Sequence, residues 1–159
     1  MRHTAIPASL FIANRKRLAS AIKTGGIAVL NSNDIMPTNA DGTMPFRQNS
    51  DLFYLTGITQ EETMLLLFPD APSKSQQEIL FIRKPDELLE KWEGHKLTRS
   101  EATALSGIDT VMFTSDFQKT FHHLMTMGGG ASLYLNTNEH YRSEVVVQTR
   151  DAQIGRAHV

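Results

Sequence analysis

No cysteine occurs anywhere in the 159 residues. That excludes disulfides, thiolate nucleophiles and cysteine-type zinc sites, and it is compatible with a reducing compartment. A dominant charge is missing too. Sixteen Lys or Arg stand against seventeen Asp or Glu, a formal net charge of −1, so no global field steers the chain toward nucleic acid or an anionic membrane. Long apolar runs are also absent. The N-terminal "MRHTAIPASLFIANRKRLASAIK" holds only the short stretch "LFIA", whereas a secretory signal needs roughly 7–15 apolar residues and a membrane span about 20. A cytoplasmic protein is therefore expected, with neither a nucleic acid nor a membrane as partner.

What is present suits one globular domain: 40% hydrophobic and 21% charged residues in a chain long enough to bury a core. Residues 8–23 read as a helix stopped by Gly25 and Gly26. Phe11, Ile12, Leu18, Ala19 and Ile22 are assigned to its inner side, and Asn14, Arg15, Lys16 and Lys23 to solvent. The apolar run Ile27–Asn31 reads as a buried strand, and the polar segment 32–45 as a loop. Strands are expected at Thr63–Pro69 and Glu78–Arg83, joined as a hairpin with a long tip. Asp86 is placed to cap a short helix over 87–92, ended by Gly94. Thr98 and Glu101 form a capping box for a helix closed by Gly107. A strand at Thr110–Thr114, a helix from Ser115 to the glycines at 128–130, and a strand at Ala131–Asn136 complete the alternation. The fold class is α/β, a mixed β-sheet flanked by helices.

The familiar catalytic patterns are not met. His122 and His123 are adjacent on a helix, so their rings diverge by about 100° and cannot chelate one ion. The glycines at 25–26 and 128–130 follow helices rather than strands, the wrong order for a phosphate cradle. No Gly-x-Ser-x-Gly elbow occurs. Two constellations remain. In "PFRQNSDLFYLTG" (Pro45–Gly57), Asn49 or Ser50 can cap one helical turn that buries Leu52, Phe53 and Leu55 and stops at Gly57. Arg47 and Gln48 are donors able to tie the preceding loop to carbonyls or a carboxylate, Arg47 through a buried charge-assisted bond. None of these residues is a nucleophile or a base, so the stretch reads as a structural corner. In "EKWEGHKL" (Glu90–Leu97), Trp92 sits between charges at a helix end, where an aromatic either contacts a partner or lies on its own surface.

"MPFRQNSDLFYLTGI" resembles the motif that marks the N-terminal domain of aminopeptidase P and the related prolidase and creatinase enzymes. "EETMLLLF" and "ILFIRKPDELLEKWEG" follow in the same order, and the similarity runs from about Phe11 to Asp151, most like the bacterial Xaa-Pro aminopeptidases. The resemblance implies a domain that precedes a larger catalytic domain of pita-bread fold. There, two divalent metals, usually manganese, activate a water that cuts the bond between a first residue and a following proline. None of the family's five metal ligands matches a residue here, so no catalytic and no metal-binding residue is assigned. The domain itself is implied to build homodimer or homotetramer contacts and to gate access of proline-containing peptides. Trp92 stands where the family has an aromatic that approaches a neighbouring subunit's active site, which makes it the one substrate-binding residue carried over. Arg47, Gln48, Asn49 and Ser50, with Tyr54 and Gly57, are carried over as a structural motif.

The domain is expected over residues 1–153. The tail 154–159, "IGRAHV", resembles translated read-through of a sequencing adapter, which would make the chain a fragment whose catalytic domain is missing. The competing reading is a stand-alone, non-catalytic protein-interaction module of the same fold, of the kind that a histone-chaperone subunit provides. A small nucleotide-binding protein is disfavoured by the order of the glycines.

Overall fold

The computed structural model describes residues 6–39, 42–86 and 91–137. The expected tail at 154–159, the first four residues of the helix expected over 87–92, and His3, His140 and His158 lie outside these. Among the described residues, one five-stranded sheet has the order β4-β3-β2-β1-β5. The strands are β1 (Gly26–Asn31), β2 (Met64–Leu67), β3 (Glu78–Ile82), β4 (Thr110–Phe113) and β5 (Ser132–Leu135). The helices are α1 (Ala8–Ala21), α2 (Ser50–Thr56), α3 (Lys74–Gln77), α4 (Arg99–Ser106) and α5 (Phe117–Thr126).

β1–β2 and β2–β3 pair antiparallel, while β3–β4 and β1–β5 pair parallel. The sheet is mixed, as the alternation of helices and strands implies. The expected hairpin is β2–β3, with α3 in its tip. Sequence and burial agree in the middle of the sheet: β1, β2 and β3 are nearly continuous apolar runs because both faces are covered. Ala28, Leu30, Leu65, Leu67, Leu80 and Ile82 form one core with Leu52 and Leu55 of α2, Ala102 of α4, Leu18 of α1 and Ile22 just after it. Ile27, Val29, Leu66, Ile79 and Phe81 form the other with Leu124, Phe117 and Phe121 of α5. On this second face Phe117 meets Phe81 edge-on at 5.2 Å and stacks on Phe121 at 5.6 Å. Each fully buried Leu, Ile or Phe contributes about 1.5–3 kcal/mol.

Two expectations about the helices need correction. The helix expected from Ser115 is preceded by a tighter 3₁₀ turn over Thr114–Asp116. More consequential is α1, where Asn14 and Arg15 are buried, at 3% and 0% exposure, rather than solvent-facing. Positions 11, 14, 15, 18 and 22 follow the i, i+3, i+4, i+7 stripe of an inward helix face, so spacing places both polar residues inside. There Asn14 Nδ2 donates to Tyr54 O at 2.8 Å, and Arg15 binds three partners described below through Nε and Nη1, while its Nη2 is buried without one.

Candidate functional site

The corner is built around Asn49. Its backbone is extended (φ −58°, ψ 130°), and its Oδ1 accepts from the N–H groups of Asp51 and Leu52 at 3.0 and 3.3 Å, filling two of the open donors at the start of α2. Its Nδ2 donates to Asn33 Oδ1 and to Thr137 O, both at 3.2 Å. One side chain thus joins the loop after β1, the start of α2 and the segment after β5. Gln48 Nε2 donates to Gln60 O at 2.8 Å, while its Oε1 accepts from Asn49 N at 2.9 Å.

Gly57 ends α2 at φ +70°, with its N–H on Phe53 O at 2.8 Å. Only glycine suits it twice over, because a Cβ there would stand 2.3 Å from the Phe11 ring. Ser50, Tyr54 and Arg47 face outward. Arg47 enters the corner through its carbonyl, which accepts from Asn33 Nδ2 at 3.2 Å. The buried charge-assisted bonds expected of Arg47 are made by Arg15 instead. Its Nη1 donates to Leu55 O and Ser106 O at 2.8 and 2.9 Å, and its Nε to Glu78 Oε2 at 2.9 Å. Those two carbonyls lie in the last turns of α2 and α4, where open acceptors and the negative end of the helix dipole both favour a cation.

The second constellation centres on Trp92, 89% exposed in a helical turn at Lys91–Glu93. Ions hold the backbone that follows it. Arg83 Nη1 donates to Glu93 Oε2 at 2.8 Å and lies 3.7 Å from Glu62 Oε1. Lys96, 7% exposed, donates through Nζ to Glu61 Oε1 and stands 3.6 Å from Glu93 Oε2. Burial of Glu61 works against its charge, but hydrogen bonds from Lys96 and its own backbone N–H, with the charges of Lys96 and Arg83, outweigh it. Its carboxyl is held below the usual glutamate range. Beyond the turn, the capping box at Thr98 is formed, and the Thr98 backbone N–H and hydroxyl, followed by His95, hold the Glu101 carboxyl low.

Gln60 connects the two constellations. Its carbonyl receives Gln48, and its side-chain Oε1 receives the Leu97 N–H at 2.7 Å. Gln60, Glu61 and Lys96 carried no sequence signal beyond being polar next to apolar strands. Arg15 carried one, its place on the helical stripe. Chemically the arrangement can present an aromatic and resist deformation, but it supplies no nucleophile paired with a base. Among the described residues no group of three or more His, Asp or Glu converges where a metal ion could sit, so the family's metals do not fit these residues. Nor is any described helix long and apolar enough to cross a membrane.

Comparison with known proteins agrees with this picture. The family model for the aminopeptidase P N-terminal domain matches residues 11–134. The Xaa-Pro aminopeptidase of Escherichia coli is 27% identical over 139 residues, covering 87% of this chain and 31% of that protein. The Haemophilus influenzae Xaa-Pro aminopeptidase is 34% identical over 92 residues, covering 58% and 21%. The structure of E. coli aminopeptidase P with the inhibitor Pro-Leu superposes with a TM-score of 0.73 at 25% identity, covering 91% of this chain and 32% of the other. The chain therefore spans about a third of the length of the E. coli relative.

Proposed function

The chain belongs to the aminopeptidase P N-terminal domain family, and from that premise we propose that it is the assembly and gating part of a metal-dependent Xaa-Pro aminopeptidase. In this reading hydrolysis takes place in a separate pita-bread domain on two manganese ions, and none of its steps uses a residue described above. The domain packs against that catalytic domain, contributes to a homodimer or homotetramer in the cytoplasm, and sends Trp92 toward a neighbouring subunit's peptide site.

One observation carries the proposal: the sole tryptophan is almost wholly exposed at 89%, on a turn tied down by ion pairs. A flat indole face suits the rigid ring of proline, and aromatic grooves are a recurrent way of holding proline-bearing segments. Exposed tryptophans that become buried by a partner are typical anchors, worth about 2 kcal/mol or more when truncated.

The test is Trp92→Ala in the polypeptide that carries this domain together with its catalytic domain. KM for Xaa-Pro peptides should rise about tenfold or more, or the oligomer should weaken comparably, with the melting temperature unchanged. Unaltered kinetics and oligomer mass would sink the gating role. A stable foreign partner for the chain by itself, with no catalytic domain encoded beside it, would favour the interaction-module reading.

A further inference from the structure

We propose that Lys96 and Glu61, assisted by Arg83 and Glu93, are positioning residues that fix the direction in which Trp92 leaves the surface. The proposal deepens the reading of Trp92 as a partner-facing aromatic and rests on it. An exposed tryptophan withholds a large, mostly apolar surface from the core, and the hydrophobic effect draws it back onto the nearest apolar patch unless the backbone beneath it is held. Gly94, two residues on, does not hold it. It sits at φ +84°, and a Cβ there would meet nothing within 4 Å.

The restraint comes from the charged neighbours. Glu93, adjacent to Trp92, accepts from Arg83 at 2.8 Å, and Arg83 directly follows the last residue of β3. Lys96 reaches Glu61, shortly before the first residue of β2, and stands 3.6 Å from Glu93. The Leu97 N–H then donates to Gln60 Oε1 at 2.7 Å. β2 and β3 are antiparallel neighbours, so all these anchors lie at one end of the sheet. The segment from Glu93 to Leu97 is pinned there at both ends.

Stability alone does not account for a lysine at this depth. Desolvation offsets most of the attraction in a buried ion pair, and apolar residues of similar volume often do as well or better. The best-attested use of such a pair is to select one geometry over others. Here the geometry selected is the root of an exposed aromatic, and a side chain oriented in advance loses less freedom when it docks.

Trp92 is the sole tryptophan, so its fluorescence reads the turn without labelling. The experiment compares anisotropy decay in the 159-residue chain, the double variant Glu61→Gln/Lys96→Met, and Lys96→Arg. The double variant leaves no unpaired member of the pair. Its fast, subnanosecond loss of anisotropy should grow about twofold, while far-UV circular dichroism stays native and Lys96→Arg restores the native decay. An unchanged decay in a folded double variant would overturn the proposal.

Should the double variant fail to fold, Glu93→Gln decides, because that carboxylate is 38% exposed and tolerates replacement. It should show a smaller increase of the same kind, and no increase would again overturn the idea. The two readings can fail separately. A still Trp92 whose removal leaves KM and assembly unaltered defeats gating and spares positioning. A Trp92 that is already mobile in the native chain, yet raises KM when removed, does the opposite.

Discussion

Arg15 and Lys96 are both buried cations bonded to a glutamate, at 0% and 7% exposure, yet their surroundings give them different work. Around Arg15 lie the ends of two helices and the start of β3, and its donors fill acceptors that helix geometry leaves open. Around Lys96 lie two carboxylates and a turn whose aromatic points into solvent. The first cation closes the interior. The second orders a surface. A buried charge therefore identifies a role only together with what its partners are attached to.

The sharpest way to break the comparison is Arg15→Ala. It leaves two helix-end carbonyls and one carboxylate without their donor, and losing one member of such a buried set costs about 3 kcal/mol or more. The melting temperature should fall by roughly 10 °C in a chemical or thermal melt. A loss of under about 1 kcal/mol would mean that water takes over the guanidinium's place, and the two cations would then be alike.

A middle case is Asn49→Ala, which removes the cap of α2 and the tie to Asn33 and Thr137 at once. The loss of stability by denaturant titration should be about 1–2 kcal/mol, at the upper end for a helix cap. A change of only a few tenths would show that the corner holds without its central amide. The smallest effect is expected from Arg47→Ala. Its side chain is exposed and, among the described residues, only its carbonyl is engaged, so stability should stay within about 0.5 kcal/mol of the parent. A loss as large as that of Arg15→Ala would move the structural charge back to Arg47.

Much of the fold was legible because its signals are local. The apolar runs at Ile27–Leu30 and Ile79–Ile82 read as strands and form them, and Gly57 and Gly107 mark helix ends in left-handed backbone. The capping box at Thr98 and Glu101 was readable from spacing alone, and it forms. α1 was misread because residue type was given more weight than spacing. The stripe through Phe11, Asn14, Arg15, Leu18 and Ile22 is regular, but an arginine on it looks misplaced until its acceptors are known. Those acceptors lie 40, 63 and 91 residues away in the chain.

The candidate site divides in the same way. That Trp92 is poorly buried followed from its charged neighbours and the glycine after it. That Lys96 is buried against Glu61, 35 residues earlier, and that Gln60 joins the Trp92 turn to the corner, had no counterpart in any window of sequence.

The amino-acid order by itself determined which segments become strands and helices, where they stop, and to which family they belong, because periodicity, caps and turns act over a few residues. Only the tertiary structure decided which polar groups are interior. Burying a charge is tolerable solely where distant chain segments deliver its partners, and that delivery is a property of the assembled sheet and its helices rather than of any stretch within them.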